Sequence, residues 1–160
     1  MTSLTKKIFL LSMTTLLATG CTPQANVPTV AFVHELSPTK KIMLDETVLS
    51  VQVATTSSEQ QQGLSRIQHI QPDEGMLFPY SPAAEPVFWM KDMVFPIDII
   101  WIRDGHVVGI SKDAQPPQKK QADTLLARYP SPGKVTAVLE VQSGWATAHA
   151  IHPGSIVTGF

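Results

Sequence analysis

The chain has 160 residues, of which 43% are hydrophobic and 16% charged, and its formal net charge is −1. Twelve Lys plus Arg against thirteen Asp plus Glu leave no basic footprint for nucleic acid, and a lone cysteine permits neither an internal disulfide nor a thiolate metal cluster. The hydrophobic core must therefore stabilise the chain unaided.

At the N-terminus, Lys6 and Lys7 precede an apolar run from Ile8 to Leu17, diluted by Ser and Thr, and the small residues Ala18, Thr19 and Gly20 lead into Cys21. This is the pattern of a signal peptide over residues 1–20, and the run is shorter than the roughly 20 residues needed to span a bilayer. Leu17-Ala18-Thr19-Gly20-Cys21 resembles a bacterial lipobox, which implies that Cys21 becomes the first mature residue and carries diacylglycerol. The match departs at Ala18, which stands three residues before the cysteine where the pattern prefers Leu. Ordinary cleavage after Gly20, leaving a free thiol, is the alternative. Thr22 rather than Asp in the next position resembles the sorting signal for the outer membrane, with the domain facing the periplasm. From Cys21 onward ten basic residues face thirteen acidic ones, a formal charge of −3.

Residues 21–39 contain Pro23, Pro28 and Pro38 among Thr, Asn and Gln without an apolar period, which reads as a flexible tether to a single domain over residues 40–160. Leu49, Val51 and Val53 alternate with polar neighbours and predict a strand with one buried face. Ser57 and Gln60 form a capping-box pair that opens a short helix through Leu64. A loop with Arg66, His69 and Pro72 leads to a strand at Met76-Leu77-Phe78, and Ser81 to Pro86 predict a proline-rich bend. Val87 to Met90 and Ile97 to Ile102 are apolar on both faces, as expected of central strands. Asp104-Gly105 between two apolar runs is a hairpin turn. Residues 115–132 read as a long surface loop with one helical turn around Leu125-Leu126. A strand at Thr136 to Val141, a helical turn at Gly144 to His149 and a last strand at Ile156-Val157 complete the chain. These elements predict a mainly β (α+β) fold, a compact curled sheet or partial β-barrel with one or two short helices.

Four charged residues interrupt this apolar pattern. Asp98 opens a strand of Ile and Trp, Glu140 lies between Leu139 and Val141, Lys91 follows Phe88-Trp89-Met90, and Arg66 follows Gly63-Leu64. Ionised groups in apolar strands need partners, so the four either form a structural ion-pair network or line a polar ligand site. In the second case Trp89 supplies a stacking face suited to a sugar ring, Lys91 and Arg66 hold an anionic or hydroxylated group, and Asp98 or Glu140 accepts hydrogen bonds. A further alternative makes Asp98 and Glu140 the carboxylate pair of a hydrolase. His149 and His152 stand at the spacing of a metal-binding turn, but Pro153 and Gly154 end any helix at once and no acidic third ligand lies nearby in sequence, so no metal is expected. No phosphate-cradling loop, dinucleotide fingerprint or nucleophile elbow is present, and no cofactor is expected.

Gly63-Leu64 with Arg66, Glu74-Gly75-Met76-Leu77-Phe78, Phe88-Trp89-Met90-Lys91, Pro96-Ile97-Asp98-Ile99 and Val138-Leu139-Glu140-Val141 with Gly144 together resemble the bacterial and archaeal family of domain of unknown function 192. The resemblance spans about Val48 to Val157 and implies a small, mainly β domain, often secreted or lipid-anchored, with no assigned activity. Its pattern covers Arg66, Trp89, Lys91, Asp98 and Glu140. Asp92-Met93 depart from it, since Asn-Thr is usual there.

The leading expectation is a lipid-anchored, non-enzymatic binding or accessory domain of the cell envelope for a small polar or sugar-like ligand. A hydrolase and a protein-interaction module that docks a partner on the 115–132 loop are the alternatives.

Overall fold

The computed structural model describes residues 40–160. The expected signal peptide, Cys21 and the expected tether lie outside them.

Nine strands and two short helices build a mainly β structure. Lys40–Leu44 (β1) and Thr47–Val53 (β2) form a hairpin, Ser57–Gln62 (α1) follows, and Glu74–Ala84 (β3) lies parallel to β2. Then come Val87–Trp89 (β4), Ile97–Arg103 (β5), His106–Ala114 (β6), Arg128–Pro130 (β7), Val135–Gln142 (β8), the single turn Trp145–Ala148 (α2) and Val157–Thr158 (β9). Seven strands form one curled half-barrel sheet in the order β6-β5-β8-β3-β2-β1-β9, while β4 and β7 pair separately. At the hairpin end the amide of Val107 donates to the carbonyl of Ser155 and that of Val157 to Gly105, drawing the two ends of the sheet together.

Local chemistry explains most boundaries. Asp104 and Gly105 both take positive φ, 48° and 74°, the combination a two-residue hairpin turn demands, and Arg103 pairs His106 across it. The cap of α1 falls one residue before the expected Ser57–Gln60 pair. Thr56 accepts from the Glu59 amide at 3.2 Å, and Glu59 returns to the Thr56 and Thr55 amides at 2.8 Å each. Those backbone bonds hold the Glu59 carboxyl below its ordinary value.

Two expectations need correction. The 81–86 bend is instead the end of β3, which runs to Ala84 and pairs there with Val135. Val87–Trp89 is not central: among the described residues its strand partner is the short β7, which the largely exposed 115–132 loop brings back beside it. β1 was not legible, since its lysines mask a period-two pattern in which only Ile42 and Leu44 are buried.

The sheet has two packed faces. On one, Leu49, Leu77, Ile100, Leu139 and Val141 pack with Trp145 and Ala146 of α2. On the other, Met76, Phe78, Ile99, Trp101 and Val138 pack with Leu64, Ile70, Met90 and Met93, and Phe88 of β4 closes over them. Double coverage is why β5 and β8 are mainly apolar on both faces. Gly75 lets β3 approach β8 closely, because a Cβ there would stand 2.7 Å from the carbonyl oxygen of Glu140.

Candidate functional site

Strand register decides where the two embedded carboxylates go. Directly paired residues of neighbouring strands point to the same side. Ile99 pairs with Glu140 and Asp98 with Val141, so Asp98 and Glu140 project from opposite faces of the sheet. They share no space, and the expected carboxylate pair is not formed. Asp98 is fully occupied instead: its buried carboxylate accepts from the Asp113 amide at 2.9 Å and from the Ala146 amide at 3.1 Å, tying α2 and the end of β6 to β5. The Asp98 half of the expected ligand site is therefore a structural brace.

Glu140 has a different environment. Only 5% exposed, it sits on the face carrying Phe78 and Trp101, and its Oε2 has no hydrogen-bond partner. Burial pushes its carboxyl up to about 8, with the Leu64 amide pulling weakly the other way. Tyr80, two residues beyond Phe78 on β3, is raised to about 12, first by burial and then by the charge of Glu140.

This carboxyl ends in a cavity of about 120 Å³ walled by α1 and Gly63–Ser65, by Phe78 and Tyr80 of β3, by Pro86–Trp89 and by Met93. Gly63 at φ +51° turns the chain across the carboxylate, and a Cβ placed there would stand 3.5 Å from Oε2. Phe88 anchors the aromatic wall edge-on, its ring 5.0 Å from Phe78 and 5.7 Å from Trp101. The loop after α1 is clamped to the loop after β4: the Ser65 hydroxyl donates to the Lys91 carbonyl at 2.9 Å and the Arg66 amide to the Asp92 carbonyl at 3.0 Å. Arg66 and Asp92 both take left-handed backbone, φ 67° and 57°, at this clamp.

Outside lies an open groove of about 540 Å³ lined by Arg66, Trp89, Lys91 and Asp92 together with Ser58 and the Gln61–Gln62 pair. Trp89, Ser65 and the same two glutamines wall both spaces, so the groove is the mouth of the cavity. Trp89 is half-buried, with the Arg128 guanidinium 4.3 Å and the Lys91 ammonium 5.4 Å from its ring centre. Lys91 pairs with Asp123, which holds its ammonium above the ordinary value. Arg66 pairs loosely with Asp92 at 3.7 Å and is 82% exposed, a contact worth about 0–1 kcal/mol.

Four of the five expected residues thus gather at one place, with Arg66, Trp89 and Lys91 at the mouth and Glu140 at the base. Sequence reasoning missed Tyr80, Asp123 and Arg128. Tyr80 had a signal in its period-two spacing from Phe78, whereas Asp123 and Arg128 arrive on the folded-back loop. The two histidines turn to their own backbone, His149 Nδ1 lying 2.9 Å from the Trp145 carbonyl and His152 Nδ1 3.0 Å from that of Pro153. Among the described residues, no three His, Cys, Asp or Glu side chains are grouped to hold a common ion.

A family model described as an uncharacterised group, DUF192, matches residues 40–159, and the chain belongs to that family. No curated protein matches the chain. A solved protein of unknown function from Novosphingobium aromaticivorans DSM 12444 is similar at 31% identity and a TM-score of 0.68, over 75% of this chain and 84% of that one. A Sinorhizobium meliloti 1021 protein, provisionally described as a transcription regulator, is similar at 28% identity and a TM-score of 0.68, over 76% and 93%. These relatives share the curled sheet with its two short helices.

Two stability measurements check the different states of the carboxylates. The carboxyl of Glu140 is raised in the folded chain from 4.5 to about 8, so its stabilising effect is complete below about pH 4.5 and lost as pH rises through about 8. Denaturation midpoints should fall over that window by the equivalent of a few kcal/mol, and Glu140→Gln should flatten this part of the profile. Asp98→Asn, by contrast, turns an NH2 toward a backbone N–H and should cost roughly 1–3 kcal/mol in urea denaturation at neutral pH.

Proposed function

We propose that the protein is a binding or accessory domain of the bacterial envelope, non-enzymatic, which holds a small polar or sugar-like ligand between Trp89, Lys91 and Arg66 at the mouth and Glu140 at the base. The observation that carries this reading is the buried carboxylate oxygen that ends in a cavity without a partner. Native proteins rarely leave such an atom unsatisfied, and a cavity with few convergent polar groups is the usual form of a small-molecule site. The carboxylate-pair hydrolase would require both acids in the cavity, and Asp98 lies behind the sheet. The 115–132 loop, considered above as a docking surface, contributes Asp123 and Arg128 to the mouth, which favours one site over two.

In this reading Cys21 carries the lipid that tethers the domain, and residues 21–39 set its reach from the outer membrane into the periplasm. The net charge of −3 from Cys21 onward gives no reason to extend the regulator description of the S. meliloti relative to this chain.

Titration of the purified full chain with small envelope sugars and polyols, followed by tryptophan fluorescence, should identify a saturable ligand. Trp89→Ala should weaken that ligand up to about tenfold, since an aromatic stacking contact contributes roughly 0.5–1.5 kcal/mol. An affinity unaffected by Trp89→Ala would place the ligand elsewhere. In cells fed labelled palmitate, the chain should incorporate label and Cys21→Ser should not; label retained in the variant would remove the anchor.

A further inference from the structure

We propose that the inner cavity recognises an organic ammonium group, with Glu140 as its counter-ion and the surrounding rings as its cage. This rests on the reading of the cavity as the ligand site and names the chemistry of the group that enters first.

Three observations lead to it. The cavity wall holds one acid and no Lys, Arg or His, so nothing in it neutralises Glu140. The cations around the outer groove have contacts of their own: Lys91 pairs with Asp123, Arg66 loosely with Asp92, and Arg128 lies over the ring of Trp89. Four rings, those of Phe78, Tyr80, Phe88 and Trp89, share the apolar wall with aliphatic side chains and Met93. Aromatic faces attract cations, and the attraction strengthens when water is excluded. A neutral sugar hydroxyl satisfies Oε2 but makes no use of the cage, whereas an ammonium uses both.

The other polar groups do not compete. Tyr80 is the only other titratable side chain on the wall, and its raised value keeps its hydroxyl neutral. Gln60 directs its amide NH2 away, to the carbonyls of Ala54 at 3.3 Å and Pro79 at 3.2 Å. Gln61 and Gln62 stand at the rim and are exposed. A volume of about 120 Å³ admits a head group of a few heavy atoms, with the rest of the molecule lying in the outer groove along Trp89 and Lys91.

Methylammonium chloride is the probe and methanol its neutral counterpart, each titrated into the full chain at constant ionic strength and followed by saturation-transfer NMR on the methyl protons. Methylammonium keeps its charge over the range used, so its pH dependence reports Glu140. Binding should be millimolar near about pH 9 and at least tenfold tighter than methanol. It should weaken about thirtyfold by about pH 6.5, the ratio of ionised Glu140 at the two conditions for a value of about 8. Glu140→Gln should weaken methylammonium at least tenfold and remove the preference for it over methanol. If methanol binds as well, or if binding improves as pH falls, the cavity is a ligand site for neutral donors and the ammonium assignment is wrong. If neither probe binds at any pH, the ammonium assignment fails, and if sugars and polyols also fail in the fluorescence titration, the ligand-site reading fails with it.

Discussion

β5 and β8 run side by side at the centre of the sheet with apolar side chains on both faces, so each face needs a cover of its own. Fully burying one Ile, Leu or Val stabilises by roughly 1.5–3 kcal/mol, and these two strands carry many such residues. The two covers differ in kind. One face takes the compact turn α2, pinned by the carboxylate of Asp98. The other takes a layer of loops and the small β4-β7 ribbon, which is wide enough to span the face but does not seal it.

That asymmetry places the chemistry. Each central strand carries one acid, and the register sends them to opposite covers. On the tight side, Asp98 finds two backbone donors and becomes part of the framework. On the loose side, Glu140 finds none for one of its oxygens and keeps a cavity in front of it. A surface pair such as Arg66–Asp92 is worth at most about 1 kcal/mol, while an unpaired buried acid costs several, so Glu140 is the electrostatic feature that needs a reason. In the proposed reading a ligand supplies one.

The mouth is assembled by a clamp between two short loops. Ser65 and Arg66 bond to the backbone of Lys91 and Asp92, and two left-handed residues absorb the resulting turn. The departure from the family pattern at Asp92-Met93 falls at this clamp. Met93 packs into the cavity wall and Asp92 faces the groove, so ligand preference can differ here without any change in the sheet.

The chain by itself determined its fold class, its hairpin turn and the residues that stand out electrostatically, because these depend on local periodicity, on the φ demanded at Asp104-Gly105 and on the cost of charge in apolar strands. Alternation along each strand puts Asp98 on one face with Ile100 and Glu140 on one face with Val138. What alternation cannot carry is the alignment between strands, since a shift of one residue in pairing exchanges the faces. Tertiary structure alone decided that Asp98 and Glu140 part company, that the loop after Gln115 returns to lay Asp123 and Arg128 beside Lys91 and Trp89, and that Glu140 lies buried against a cavity without a partner for one oxygen. Those outcomes rest on contacts between residues far apart in the chain, which no local pattern records.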